Sequence, residues 1–142
     1  MIESMIDRLH AYSAKWLLIP ELSFYEEGQP PASGTYQISV EDDAASFSIT
    51  WTTVEGQELS VEFAGLLDGQ LHDVEQPEGA QASYTRIDNQ TLDSTMVMNG
   101  VEVAYARRIV SNDGELMSVL QTSVRPDGSS FRNTQVYRKE HD

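Results

Sequence analysis

The chain has 142 residues, of which 9 are Lys or Arg and 23 are Asp or Glu, giving a formal net charge of −14. This negative charge repels phosphate backbones and anionic lipid surfaces, so neither nucleic acid nor a membrane is an expected partner. The absence of cysteine excludes disulfide bonds. The length is typical of one domain with its own core, so we expect a single acidic domain over residues 1–142. Without a signal-peptide pattern or a long apolar run, a soluble, cytoplasmic protein is expected.

The first segment of the chain has helical spacing. Its apolar residues are Ile2, Met5, Ile6 and Leu9, which recur at the interval of one helical face. This pattern predicts a short N-terminal helix within residues 1–14. A helix this short is stable only when it packs against the rest of the domain.

From Trp16 onward the apolar residues recur at every second position. In residues 45–53, Phe47, Ile49 and Trp51 alternate with serine and threonine, a pattern typical of strands with one buried face. Further strands are predicted near 16–25, 34–40, 58–64, 70–74, 81–87, 91–98, 101–110, 115–124 and 129–138, mostly separated by turn sequences. The fold class is therefore all-β: an antiparallel up-and-down meander of about ten strands with no helix after the first.

The turn sequences predict how the strands pair. Two-residue turns are assigned at Asn99-Gly100, Asp113-Gly114 and Asp127-Gly128. They set Arg107 between Leu92 and Leu120 on the inner face, and they set Gln135 opposite Leu120. At Glu55-Gly56 a three-residue loop ending in glycine is favoured instead, because it places Trp51 opposite Leu59 and keeps the apolar residues on one face.

A meander of this length must protect its edges, and closure into a barrel is the simplest way to do so. An open or sandwiched sheet with a filled core is the alternative. One apolar patch fits neither arrangement directly: the opposite face of the last strands carries Val110, Met117, Val119 and Val136. Either the N-terminal helix or a second subunit covers this patch, or the inside and outside of these strands are reversed.

Two short motifs carry a resemblance to a known superfamily. Ala14-Lys15-Trp16, at the first strand, resembles the Gly-x-Trp of lipocalins without its glycine. Gln135-Val136-Tyr137, in the last strand, resembles the Arg-x-Tyr that holds a carboxylate inside fatty-acid-binding proteins, with glutamine in place of arginine. Over roughly 16–138 the chain thus resembles the calycins, and in particular small bacterial lipocalin-like domains of unassigned function. The resemblance implies a calycin-like β-barrel with an internal cavity, with Arg138 packed on Trp16 and Arg107 supplying the missing charge.

The candidate ligand-binding residues are those that the predicted register turns inward. They are Arg107, Gln135, Tyr137, Tyr105, Asn133, Tyr84, Arg86, Met96 and Trp51. Arg107 is the most specific candidate, because a buried arginine needs a partner that an anionic ligand would provide. The alternative is that Arg107 lies near a strand end and extends to water. The polar residues either orient a ligand head group or form an internal hydrogen-bond network.

The leading functional hypothesis is a non-enzymatic module that binds a small apolar or amphipathic molecule inside the barrel, and an anionic ligand is included in this class. One alternative is a barrel enzyme that acts on a small unsaturated carboxylate through tyrosine and arginine. Another is a dimeric interaction protein with a filled core and no ligand, so both monomer and homodimer remain open. The sequence contains no recognised catalytic, metal or nucleotide motif, so no catalytic residue, metal or cofactor is predicted.

Overall fold

The computed structural model describes residues 10–75 and 77–141. These residues form an antiparallel β-sheet of 11 strands, with a single-turn 3₁₀ helix η1 between the first two. The strands are β1 (Ala14–Leu18), β2 (Phe24–Tyr25), β3 (Ser33–Glu41), β4 (Ala44–Thr52), β5 (Glu58–Leu66), β6 (His72–Asp73), β7 (Ala80–Arg86), β8 (Thr91–Met98), β9 (Val101–Val110), β10 (Leu116–Val124) and β11 (Ser130–Lys139), and η1 is Pro20–Leu22. The all-β prediction is confirmed. No helix in this part of the chain has the length and hydropathy needed to cross a membrane.

The predicted helix within 1–14 is not found where it can be checked. Residues 1–9 lie outside the described residues, and residues 10–13 form a turn that leads directly into β1. Tyr12 is fully buried, and the Trp16 indole N–H donates to its carbonyl oxygen at 3.0 Å. Burial of these two aromatic side chains across the end of the barrel outweighs the weak helical preference of the segment.

The sheet curls into a nearly closed barrel. The strand order is β5-β4-β3-β1-β11-β10-β9-β8-β7-β6, with β2 paired to β11, so β1 joins the two halves of the meander. The edge strand β5 meets β7, the neighbour of the short edge strand β6, without a strand ladder. Their seam is held by the Gly69 N–H, which donates to the Tyr84 carbonyl oxygen at 3.0 Å, and by Phe63, which stacks on Tyr84 at 6.3 Å between ring centroids.

One end of the barrel is filled by a tightly packed core. Its members are each at most 2% exposed and are Tyr12, Trp16, Tyr36, Ile38, Ala45, Phe47, Leu92, Val110 and Met117. The turn at residues 10–13 closes this end: the Ala11 N–H donates to the Asn89 carbonyl oxygen at 2.8 Å, and the Val40 N–H donates to Ser13 Oγ at 3.2 Å. Burial of these side chains supplies the main stabilisation of the fold.

The first predicted hairpins have the predicted register. Trp51 pairs with Leu59 across a three-residue loop in which Gly56 has a φ of +91°. Met98 pairs with Val101 across Asn99-Gly100, whose φ values of 50° and 82° fit the type I′ turn.

A β-bulge then interrupts the pairing of β8 with β9. Val97 pairs with Glu102, but Met96 pairs with Ala104, so Val103 has no partner. Beyond the bulge Leu92 lies opposite Arg108 instead of Arg107. Because side chains alternate between the two faces, this shift places Arg108 inside and Arg107 outside, and the predicted inward position of Arg107 is wrong.

The last hairpin differs from its prediction by one residue as well. The Arg125 N–H donates to the Ser129 carbonyl oxygen at 2.7 Å and Gly128 has a φ of +90°, so the loop contains three residues instead of two. Gln135 consequently lies opposite Val119, not Leu120. The bulge reverses the predicted inner and outer faces of β9 and β10, and the one-residue shift at the last turn reverses them once more. Strand β11 therefore presents its predicted face to the interior.

Three of the four residues of the unexplained apolar patch belong to the interior. Val110, Met117 and Val119 are each at most 3% exposed and belong to the buried core cluster. Inside and outside are therefore reversed in β9 and β10, whereas Val136 lies between the inward Gln135 and Tyr137 in β11 and stays on the outer face, partly buried. Arg138 is exposed whereas Trp16 is fully buried, so the packing of Arg138 on Trp16 implied by the resemblance is wrong.

Candidate ligand-binding cavity

The half of the barrel opposite the filled end encloses a cavity of about 1310 Å³. Ligand pockets commonly measure roughly 300–1,000 Å³, so a small molecule of substantial size fits. The apolar part of the wall consists of Leu18, Ile49, Trp51, Val61, Phe63, Val74, Ala82, Tyr84, Met96, Ala104, Ala106 and Val119. Loops at residues 28–31, 53–55 and 73–75 line the outer part of the cavity and carry exposed acidic side chains at Glu55, Asp73 and Glu75.

Arg108 lies where the cavity meets the filled core. It is 3% exposed, its Nε donates to Tyr36 Oη at 2.8 Å, and its Nη1 donates to Ser94 Oγ at 3.1 Å. The Phe47 ring centroid lies 5.0 Å from the guanidinium carbon. No Asp or Glu among the described residues forms an ion pair with Arg108. Asp93 on β8 interacts with Arg108 electrostatically, but the hydrogen-bond partners of the guanidinium are neutral. A buried cation without a carboxylate in direct contact is costly, and it makes this part of the cavity attractive to an anion.

The groups around Arg108 can all donate further hydrogen bonds. Tyr36 Oη and Ser94 Oγ each accept from the guanidinium, which leaves both hydroxyl protons available to a ligand. Arg108 Nη2 has no hydrogen-bond acceptor among the described residues. A set made only of donors, one of them charged, matches the acceptor oxygens of a carboxylate, sulfonate or phosphate.

The neighbouring tyrosines remain protonated at neutral pH. Burial raises the pKa of Tyr36, an effect that the adjacent Arg108 only partly offsets. Burial also raises the pKa of Tyr137, whose ring meets the Tyr36 ring edge-on at 5.6 Å, and the pKa of Tyr84 on the opposite wall. Their hydroxyls therefore act as neutral donors and do not compete with a bound anion for Arg108.

A second polar group lies on the wall formed by β10, β11 and β2. Gln135 Nε2 donates to Tyr25 Oη at 3.0 Å and to Gln121 Oε1 at 3.4 Å. Burial raises the pKa of Tyr25, and the hydrogen bond from Gln135 only partly offsets this rise. In the adjacent row Asn133 has its Oδ1 buried, with no hydrogen-bond partner in the described part of the chain.

Five of the predicted site residues line the cavity, and a sixth has its polar group occupied. Those five are Gln135, Tyr137, Tyr84, Trp51 and Met96. Their role in binding a ligand stays a prediction. Backbone atoms aside, Tyr105 belongs to the outer face of β9 with Arg107, where its hydroxyl donates to Asp93 at 2.8 Å, so its predicted inward position is wrong.

The other three predicted residues do not line the cavity. Arg107 donates from Nε and Nη2 to the two carboxylate oxygens of Asp93, both at 2.8 Å, and its side chain is 39% exposed. Burial acts to raise the pKa of Asp93, but the hydrogen bonds from Arg107 and Tyr105 outweigh it and hold that pKa below its ordinary value. Arg86 is exposed at the end of β7, where it donates to Asn89. Asn133 lies in the inner row of β11 but outside the cavity wall.

The sequence reasoning missed the residues that form the polar centre. These are Arg108, Tyr36 and Ser94 at the base of the cavity and Tyr25 and Gln121 on the wall. One signal pointed to the first of them: adjacent arginines in a strand face opposite sides, so the apolar patch that suggested reversed faces also implied that Arg108 points inward.

Comparisons with known proteins identify the fold. No protein-family model and no curated protein matches the sequence. Among solved structures, the wild-type fluorescent protein UnaG matches with a TM-score of 0.62 and 16% identity, over 99% of this chain and 100% of that one. Zebrafish ileal bile acid-binding protein, solved in complex with cholic acid, matches with a TM-score of 0.54 and 14% identity, over 92% of this chain and 99% of that one. Identities this low show a common fold and no more. The chain has the calycin β-barrel fold, as predicted.

Proposed function

We propose that this calycin barrel binds a small amphipathic molecule whose anionic group lies against Arg108 and whose apolar part fills the cavity. The observation that carries the proposal is a guanidinium, 3% exposed, on the wall of a cavity of about 1310 Å³ and hydrogen-bonded only to neutral groups. An oxyanion would supply the missing counter-charge and accept from Tyr36 and Ser94 as well. The fold likeness to a protein solved with cholic acid, itself an amphipathic carboxylic acid, supports this ligand class by analogy.

The rest of the wall suits the apolar part of such a ligand. Trp51, Val61 and Met96 line the outer half of the cavity and are partly exposed. Covering them removes apolar surface from water, which favours binding by about 25 cal/mol per Å². Met96 can adapt its flexible side chain to ligands of different shape. Affinity would then come mainly from the apolar part, and selectivity for anions from Arg108.

Matched arginine variants test the proposal. Arg108→Gln removes the inner charge, whereas Arg107→Gln removes an outer charge from the neighbouring residue and serves as the control. A charge-assisted hydrogen bond contributes about 1.5–3 kcal/mol, so Arg108→Gln is expected to weaken binding of palmitate or cholate about 10- to 100-fold. Arg107→Gln should leave the affinity unchanged. The measurement is isothermal titration calorimetry, supported by the fluorescence of Trp51 in the cavity wall.

A neutral ligand separates the charge from the apolar contribution. Hexadecanol has the apolar chain of palmitate without its carboxylate, so its affinity should be nearly equal for the wild type and Arg108→Gln. Failure of every anionic amphiphile to bind the wild type, or equal losses for the two arginine variants, would refute the proposal.

One observation favours the enzymatic alternative as a second candidate. Tyr36 and Arg108 meet at 2.8 Å in an open cavity, so a tyrosine could donate a proton to a carboxylate substrate that the arginine holds. The raised pKa of Tyr36 keeps it a proton donor, and no carboxylate or histidine among the described residues is hydrogen-bonded to Tyr36 or Arg108 to act as a base. Consumption of an unsaturated carboxylate, followed by NMR and abolished in Tyr36→Phe, would favour the enzyme over the carrier.

The oligomeric state and the cytoplasmic location stay predictions. The dimer interface suggested by the sequence used Val110, Met117, Val119 and Val136, and the interior position of the first three leaves Val136 alone on the outer face and removes the reason for it. We therefore favour a monomeric carrier over a dimeric interaction protein. Light scattering, with and without palmitate, would give the mass directly, and a dimer in both states would revive the interaction hypothesis.

A further inference from the structure

The amide pair Gln121–Gln135 offers hydrogen-bonding capacity that the protein does not use. Gln135 gives one Nε2 hydrogen to Tyr25 Oη at 3.0 Å and another to Gln121 Oε1 at 3.4 Å. In the described structure no donor reaches Gln135 Oε1 and no acceptor reaches Gln121 Nε2. Two paired carboxamides always leave one carbonyl and one NH₂ over, whichever way each amide is turned. The pair therefore presents both an acceptor and donors.

This free capacity faces the cavity. Gln121 and Gln135 both line the cavity wall, and Gln135 is 9% exposed. A purely apolar ligand lying against them would exclude water from these groups without replacing its hydrogen bonds, which is unfavourable. A neutral ligand group that can both donate and accept would satisfy them.

The register fixes where this second position lies relative to Arg108. Val119 pairs with both Arg108 and Gln135, so these two residues share one row, separated by two strand spacings. Gln121 lies two residues further along β10, toward the mouth. With neighbouring strands about 4.8 Å apart and a rise of about 3.4 Å per residue, the two glutamines have their Cα atoms roughly 8–10 Å from that of Arg108. One ligand can therefore reach both positions.

We infer that the ligand is an amphipathic anion that also carries a neutral donor–acceptor group, a hydroxyl or a carboxamide, part-way along its apolar body. The inference rests on the proposed function and narrows its substrate class. The anionic group binds at Arg108, and the neutral group binds between Gln121 and Gln135. An unsubstituted fatty acid fits the first position and leaves the second unsatisfied.

The test compares stearate with a series of hydroxystearates that differ only in the position of the hydroxyl. At least one isomer is expected to bind the wild type about 3- to 10-fold more tightly than stearate, as one net hydrogen bond predicts. In Gln121→Leu and in Gln135→Leu the preference should weaken, because each variant removes one of the two amides, and in the double variant it should disappear. Thr122→Val is the matched control: Thr122 is the neighbour of Gln121 on the outer face of β10, and this variant should keep the preference.

The outcomes separate this inference from the proposed function. If stearate binds in an Arg108-dependent way but no hydroxystearate is preferred, the proposed function stands and the inference is overturned. A preference that survives in the double leucine variant, with its thermal unfolding unchanged, also overturns it. If neither stearate nor any hydroxystearate binds the wild type, both proposals fail.

Discussion

The seam between β5 and β7 depends on the absence of a side chain at Gly65. A Cβ added there would lie 2.5 Å from Tyr84 Cε2 and 2.6 Å from Cδ2, distances that real Cβ contacts essentially never show. The Tyr84 ring cannot easily withdraw, because it stacks on Phe47 at 5.2 Å and on Phe63 at 6.3 Å. Gly65→Ala therefore forces an overpacked seam, which costs about 1–3 kcal/mol.

Gly34→Ala provides the matched control in β3. An added Cβ at Gly34 would find its nearest neighbours at 3.5 Å, an ordinary van der Waals contact. Alanine at such a position reduces the freedom of the unfolded chain, so this variant should be neutral or more stable by about 0.4–1 kcal/mol. For a domain of this size the change at Gly65 corresponds to a fall in Tm of roughly 3–10 °C, measured by circular dichroism.

A double-mutant cycle decides whether the cost arises at the seam. In a Tyr84→Ala background the obstructing ring is absent, so Gly65→Ala should cost little. If Gly65→Ala is as stable as Gly34→Ala, or if its cost persists without the Tyr84 ring, then side-chain packing across the seam does not close this barrel.

Two further predictions concern the outer surface and a turn. Asp93 has a lower pKa in the folded protein than in the unfolded chain. Its contribution to the free energy of unfolding is therefore complete above the pKa of the unfolded chain, and it is lost as the pH falls through the pKa of the folded protein. The stability advantage of the wild type over Asp93→Asn should therefore shrink below about pH 4 in urea titrations, and an advantage independent of pH would contradict the assignment. At the type I′ turn, Asn99 has a φ of 50°, a conformation that alanine adopts at a cost and glycine adopts freely. Asn99→Ala should therefore lower the free energy of unfolding in urea by about 1 kcal/mol, and Asn99→Gly should leave it almost unchanged. Equal losses in the two variants would contradict the role of backbone conformation.

The strands and the first half of the barrel follow from the sequence because its alternation is strong. In β3, β4 and β5 nearly every inward position is apolar, and the pairing of Phe47 with Phe63 and Ile49 with Val61 keeps these side chains together. A shift of one residue would expose the whole set, so the register is strongly determined. The glycines after Glu55 and Asn99 then fix the turn geometry, so the register is as predicted between β4 and β5 and, at the second turn, from Met98–Val101 as far as the bulge.

The second half of the barrel could not be read with the same reliability, because nothing marks its bulge. Val97 and Val103 are β-branched residues that favour regular strands. No glycine or proline lies next to Met96, Val97 or Val103 to mark the bulge. Inward positions there include arginine, serine and glutamine, so alternation no longer distinguishes the faces. The bulge exchanges Arg107 for Arg108, and with it the most important residue of the site.

The two halves of the barrel interior serve opposite requirements. The filled end, with Tyr12, Trp16 and Leu92 fully buried, provides the stability of a calycin barrel without any ligand. The cavity and Arg108 both reduce stability, since an apolar side chain in place of a buried charge is often neutral or favourable. A chain selected for stability alone would fill the cavity and replace the arginine. The cavity and the buried arginine occur together beside a core that can offset their cost, and this coincidence is the physical reason for our proposal that the cavity binds an anion.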